Sequence, residues 1–228
     1  MIFHKGTHIL FNGISIINIP PYSLMFWCFT LSRPIIISTQ NIGLGPLIDE
    51  DLDRLWIWIN DKEVTQYLYL FNRMYTREME KKWLENALRG SENNIIFAIL
   101  LLPEKLHIGN VGLHNIDLIN KHAELGIIIG EKKYWNQGYG AEAVRLALDY
   151  GFGVLNLEMI FLRVLQFNKR AIRCYEKVGF RHQGRIRKFV LRGEKWWDLL
   201  IMDITKAEFY KIHESIISKI CKDSFATG

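Results

Sequence analysis

Two periods of apolar residues divide the chain. Leu52, Leu55, Trp56 and Ile59 recur at helical spacing after the acidic run Asp49-Glu50-Asp51, which supplies a cap and first-turn charges. An amphipathic helix closing at Asn60-Asp61 is expected, then a short second helix or turn over 63–70. Thr76 is placed to cap a helix running to Leu88 and ended by Gly90, with Met79, Trp83 and Leu84 facing inward. Apolar runs of strand length cover 41–48, 94–102, 107–118 and 123–129, with reversals at Pro103-Glu104-Lys105 and Lys121-His122. Further on, the pattern predicts a helix over 140–152, a strand over 159–164 and a helix over 169–178. A hairpin of 189–191 with 196–202 around Arg192-Gly193-Glu194-Lys195 follows, and then one amphipathic helix over 205–222. Antiparallel strands first and a β-α-β-α-β run later describe an α/β (α+β) domain, a mixed central sheet with helices on both faces.

Composition narrows the picture. The 228 residues are 49% hydrophobic and 23% charged, which suits one globular domain, alone or with an appendage. The net charge of +5 permits an acidic partner without demanding one. Cys28, Cys174 and Cys221 are scattered and odd in number, so neither a disulfide framework nor a metal site is expected, and a reducing, cytoplasmic setting is favoured. Cys174 reads as a packing thiol. His107, His114 and His122 lack metal spacing and read as surface or strand residues. Residues 1–40 are apolar and aromatic, broken by Pro20-Pro21 and Pro34. Their run 22–31 is too short for a membrane span, and no small-residue cleavage site follows it. An extension ahead of a natural start at Met25 is one expectation for this stretch.

The chemistry centres on Tyr134-Trp135-Asn136-Gln137-Gly138-Tyr139-Gly140, between the apolar run 125–129 and the helical stretch 141–150. Glycines let the backbone turn tightly and approach a ligand, and a following helix start offers unpaired N–H groups and a positive dipole end. That combination seats phosphate. No Lys-Ser or Lys-Thr follows the glycines, so this is not a nucleotide P-loop, and without a third glycine the dinucleotide fingerprint fails. A second block, Asn168-Lys169-Arg170-Ala171-Ile172-Arg173-Cys174-Tyr175-Glu176-Lys177-Val178-Gly179-Phe180, follows the strand over 159–164.

In this order and at this separation, the two blocks resemble those of the GNAT acyl-CoA N-acetyltransferases, over about residues 42–204. Within that superfamily they look most like the Rim-type enzymes, which acetylate ribosomal-protein N-termini, and like polyamine acetyltransferases, which stretch 148–157 also resembles. Trp135 stands where the superfamily often has Gln or Arg; the Rim-type branch often carries an aromatic residue there. The resemblance implies a GNAT fold with a splayed central strand. It implies an extension over 1–40, a catalytic domain over 41–204 and a C-terminal helix and tail over 205–228. It also implies acetyl-CoA as co-substrate, its pantetheine arm on the backbone of Ile127, Ile128 and Ile129 and its pyrophosphate on the N–H groups of Gln137, Gly138, Tyr139, Gly140 and Ala141.

Asn168 matches the family's pantetheine-binding asparagine and equally suits an N-cap. Lys132, Lys133, Lys169 and Arg170 are basic candidates for the 3′-phosphate. Tyr175 matches the tyrosine that protonates the departing thiolate. Glu124 is the candidate base, or else a structural partner of Arg or Lys on a neighbouring strand. Glu142 reads as a helix-dipole residue. The expected acceptor is a protein or peptide N-terminus, with a ribosomal protein as partner and the basic residues Arg181, His182, Arg185, Arg187, Lys188, Arg192 and Lys195 meeting an acidic surface. A polyamine or other small amine is the alternative, although such a pocket should gather carboxylates and 67–75 contains none. A CoA-binding module without transfer is a third reading. No membrane contact is expected, and a homodimer is left open.

Overall fold

The computed structural model describes residues 10–11, 14–15, 33–68, 71 and 73–225, with 10–11, 14–15 and 221–225 described by backbone alone. The expected start at Met25 lies outside the described residues. The chain divides into two units, 1–33 and 34–228. In the first, β1 (Leu10–Phe11) pairs antiparallel with β2 (Ile14–Ser15). The second begins earlier than the expected boundary at 41, because β3 (Ile37–Ser38) already joins its sheet and Ile37 is buried.

The second unit holds an eight-stranded sheet in the order β3-β4-β5-β6-β7-β8-β10-β9. Its other strands are β4 (Ile42–Gly45), β5 (Ile95–Leu101), β6 (Leu106–Asp117), β7 (His122–Ile129), β8 (Met159–Leu165), β9 (Arg181–Arg192) and β10 (Lys195–Thr205). Only β7 and β8 run parallel. The continuous apolar run of β5 follows from cover on both faces. Phe97 and Ile99 join the core under α4 (Tyr139–Gly153) and α5 (Lys169–Val178), while Ala98 and Leu100 join the core under α1 (Leu52–Asn60) and α3 (Arg77–Arg89).

Helix ends follow the expected chemistry. Thr76 Oγ1 accepts from the Met79 N–H at 3.2 Å, and Gly90 ends α3 at φ 73°. The inward face of α3 departs from expectation. Leu84 is buried, but Met79 and Trp83 are exposed and the buried neighbour is Glu80. The hairpin is also longer than expected. Every residue of β9 except Val190 and Arg192 is exposed, so as an edge strand it lacks the apolar alternation that would have marked it.

The single terminal helix expected over 205–222 is two, α6 (Lys206–Ile212) and α7 (Ile216–Phe225). The buried Asp149 of α4 causes the break. Its carboxylate accepts from the Ile216 and Ile217 N–H groups at 2.7 and 3.1 Å and from the Tyr210 hydroxyl at 3.0 Å, capping a new helix start. The short α2 (Lys62–Thr65) is capped by Asp61, which accepts from the Glu63 N–H. Among the described residues no helix is long and apolar enough to cross a membrane.

Candidate active site

The site starts where two parallel strands part. β7 pairs with β6 along its length, from Asp117↔His122 to Gly109↔Ile129. It pairs with β8 only at His122↔Met159, Ala123↔Ile160 and Glu124↔Phe161. Beyond Glu124 the β8-facing edge of β7 has no strand partner among the described residues, while β8 keeps β10 on its other edge from Met159 to Leu165. This is the expected splay. A cavity of about 530 Å³ fills it, lined by 124–129, by Gly138, Gly140 and Ala141, and by Asn168, Cys174 and Tyr175 of the second sequence block.

The glycine turn closes one end of this cavity. Gly138 sits at φ 91° with open space around it, a backbone state that favours glycine. α4 begins at the next residue with no side chain capping it, so the N–H groups of Tyr139 and Gly140 are available to an anion, while that of Ala141, also expected there, already donates to the Gly138 carbonyl at 2.9 Å. That arrangement fits the pyrophosphate of CoA. Gln137 turns its side chain away, donating to the Lys133 carbonyl at 2.6 Å. Trp135 ends β7: its indole N–H donates to the Ile129 carbonyl at 2.7 Å, and the Arg170 guanidinium lies 3.8 Å from its ring centre. The basic residues expected near the 3′-phosphate are unequal. Lys132 is held by Asp61 and Glu63 at 2.8 and 3.0 Å, and Arg170 is committed to Trp135, while Lys169 is exposed.

Asn168 takes the expected N-cap position and also lines the cavity. Its Oδ1 accepts from the Ala171 N–H at 3.1 Å, capping α5, while its amide nitrogen has no hydrogen-bond partner among the described residues and the residue lines the cavity. Tyr175, only 7% exposed, also lines it and stacks edge-on with Phe180. Burial pushes the neighbouring Cys174 thiol up to about 11, so it stays protonated and inert at neutral pH, as a packing thiol should.

Glu124 stands at the fork, bound on both oxygens by Arg163 of β8 at 2.6 and 3.0 Å. A strand-to-strand ion pair of this kind is the structural alternative foreseen for it. Glu142 does more than face the helix dipole: it accepts from Thr39 Oγ1 at 2.7 Å and Asn41 Nδ2 at 3.0 Å, tying α4 to the β3–β4 turn.

A second cavity of about 400 Å³ adjoins the first along Gly126, Ile127 and Ile128. Its walls come from α1, α3, β5 and β6 and include Trp58, Tyr75, Glu80, Trp83 and His114. Glu80 is 7% exposed, its carboxyl has no hydrogen bond or ion pair among the described residues, and burial raises its pKa. Neither Glu80 nor His114 stood out as functional in the sequence. Each is a single polar residue in an otherwise ordinary element. Among the described residues no cluster of His, Cys, Asp or Glu could hold a metal.

The acetyltransferase (GNAT) domain family matches residues 41–181. An uncharacterized N-acetyltransferase of Bacillus licheniformis is 29% identical over 174 residues, 75% of this chain and 96% of that protein. A spermidine N(1)-acetyltransferase of Escherichia coli is 32% identical over 158 residues, 69% of this chain and 82% of that protein. The crystal structure of a spermidine N-acetyltransferase from Vibrio cholerae, in complex with CoA and spermine, shares the fold at TM-score 0.69 and 24% identity, covering 75% of this chain and 99% of that one. Fold, splay and family match agree: the chain belongs to the GNAT family of N-acetyltransferases.

Proposed function

We propose that this enzyme moves the acetyl group of acetyl-CoA directly to a small cationic amine of the polyamine class. The observation that carries the acceptor class is the buried, unpaired Glu80 carboxyl in the cavity adjoining the splay. A buried carboxylate without a partner is costly, and an ammonium group would compensate it. The similarity to spermidine acetyltransferases supports the same class.

In this reading the β7 edge over Ile127, Ile128 and Ile129 and the Asn168 amide hold the pantetheine arm. The N–H groups of Gln137, Gly138, Tyr139 and Gly140 hold the pyrophosphate, that of Ala141 being taken by the Gly138 carbonyl. When bound, acetyl-CoA supplies a thioester carbonyl open to attack by an amine. Tyr175 donates its phenolic proton to the departing thiolate. Glu124, with both oxygens on Arg163, holds the fork and lends negative potential to the incoming cation rather than serving as a free base.

The Rim-type reading, with a protein N-terminus as acceptor, rests on the basic hairpin. Several of those charges are already engaged: Arg181 with Glu208, Arg185 with Asp198, His182 with Glu176, and Arg192 with the Leu68 carbonyl. A panel of spermidine, N-terminal peptides and aminoglycosides with acetyl-CoA, read by thiol release and product mass, decides between the readings. Spermidine should be acetylated and Glu80→Gln should raise its KM by about tenfold, the scale of one lost charge-assisted contact. Acetylation of peptides alone would move the acceptor to protein N-termini. CoA binding with no product from any amine would leave a binding module.

A further inference from the structure

We infer that His114 is the group that takes the proton from the incoming amine, an assignment that rests on the transfer reading above. His114 lies on β6, opposite Glu124 of β7. Side chains at paired positions share a face, and the next pair on this face is Gly112↔Gly126. Two glycines there leave a trough without side chains, and the imidazole lies across it. A Cβ at Gly112 would stand 2.9 Å from His114 Nε2, and one at Gly126 would stand 3.2 Å from the same atom. The ring therefore extends along β7 toward Gly126, where the two cavities adjoin, and it lines the acceptor cavity.

The other described histidines are engaged. His107 sits between Asp51 and Asn110, at 2.8 Å from each, His182 meets Glu176 at 2.9 Å, and His213 donates to the Val178 carbonyl at 2.9 Å. His122 lies 3.9 Å from Asp117. His114 alone among them has no hydrogen bond or ion-pair contact to a described residue. The charged groups around it are Glu124 of β7, itself paired with Arg163 of β8, and Glu80 from α3, while α1 presents only Leu55, Trp58 and Ile59 to the cavity. Burial lowers the His114 pKa, and Glu124 works against that shift. The ring is thus neutral at physiological pH, the form that accepts a proton, and Glu124 stabilises the imidazolium that results.

The proton balance is complete. His114 Nε2 takes one proton from R–NH3+, leaving R–NH2. The amine nitrogen bonds to the acetyl carbon and the C–S bond breaks. Tyr175 protonates the thiolate and recovers a proton from the nitrogen, and the imidazolium releases its own to water. The products are R–NH–CO–CH3, CoA thiol and one proton.

The test uses His114→Gln and His114→Ala with spermidine as the probe amine. We expect kcat/KM at pH 7 to fall by about a hundredfold, the usual scale for one general base, with acetyl-CoA stabilisation retained. The acid limb of the wild-type pH profile should disappear in both variants. Added imidazole should restore part of the rate to His114→Ala and none to His114→Gln. An acid limb unchanged in both variants, or loss of acetyl-CoA stabilisation in both, would overturn the assignment and leave His114 a packing residue. A wild-type protein that binds acetyl-CoA yet acetylates no amine would instead overturn the transfer reading, and the base with it.

Discussion

The two cavities share a stretch of β7 but are made of different material. The proposed CoA seat is largely backbone: the free edge of β7 beyond Glu124, a glycine at φ 91°, and an uncapped helix start. The proposed acceptor cavity is side chains, Trp58 from α1, Glu80 and Trp83 from α3, and His114 from β6. A backbone seat binds what every member of a family must bind, and it needs contiguous residues with special conformations. A side-chain cavity binds what one enzyme chooses, and its residues come from wherever the fold brings them.

The largest expected effect strikes the backbone seat. Gly138→Asp places a side chain at φ 91° and a negative charge against the pyrophosphate. It should weaken acetyl-CoA binding by on the order of a hundredfold or more and abolish ligand-induced stabilisation in a melting experiment. Equal stabilisation of both proteins would remove the phosphate seat.

Tyr175→Phe comes next. It keeps the ring and removes the proton, so single-turnover rates should fall by roughly ten- to a thousandfold with acetyl-CoA affinity preserved. A loss of stability with an unchanged chemical step would make Tyr175 a core residue only.

Gly130→Ala acts on Trp58 of α1, which lines the second cavity. Its Cβ would fall 2.0 Å from the Trp58 ring, so α1 must shift and a destabilisation of roughly 1–3 kcal/mol is expected. A melting temperature within a degree of wild type would show that α1 gives way freely.

The smallest effect is on Glu80. Its raised pKa means that the folded state holds that proton more tightly than the unfolded chain. The neutral form's stability is present below the ordinary carboxyl value and is lost as pH rises through the raised one. Glu80→Gln should therefore melt a few degrees above wild type at pH 8 and level with it near pH 4. Equal melting temperatures at both values would show that the carboxylate is not strained.

The contrast also explains what could be read beforehand. α5 runs from Lys169 to Val178 as expected, because a cap residue, a strong apolar stripe and Gly179 mark its ends. The splay is what the family resemblance implies, and it appears in the strand register. The inward face of α3 was misplaced because Met79 and Trp83 fit the helical period as well as the true face does; tertiary contacts decided for Glu80 and Leu84. The break between α6 and α7 depends on Asp149, far away in sequence, and no local signal announces it. The Gly112↔Gly126 trough likewise needs the β6–β7 register, which one strand alone does not reveal.

The central claim is that the free edge of β7 and the glycine turn receive the CoA arm. Amide hydrogen exchange with and without acetyl-CoA tests it directly. Binding should slow exchange over 125–129 and 137–141 while leaving the β9–β10 hairpin unchanged. Protection confined to the hairpin or to α1 and α3, with 125–129 exchanging as before, would contradict it.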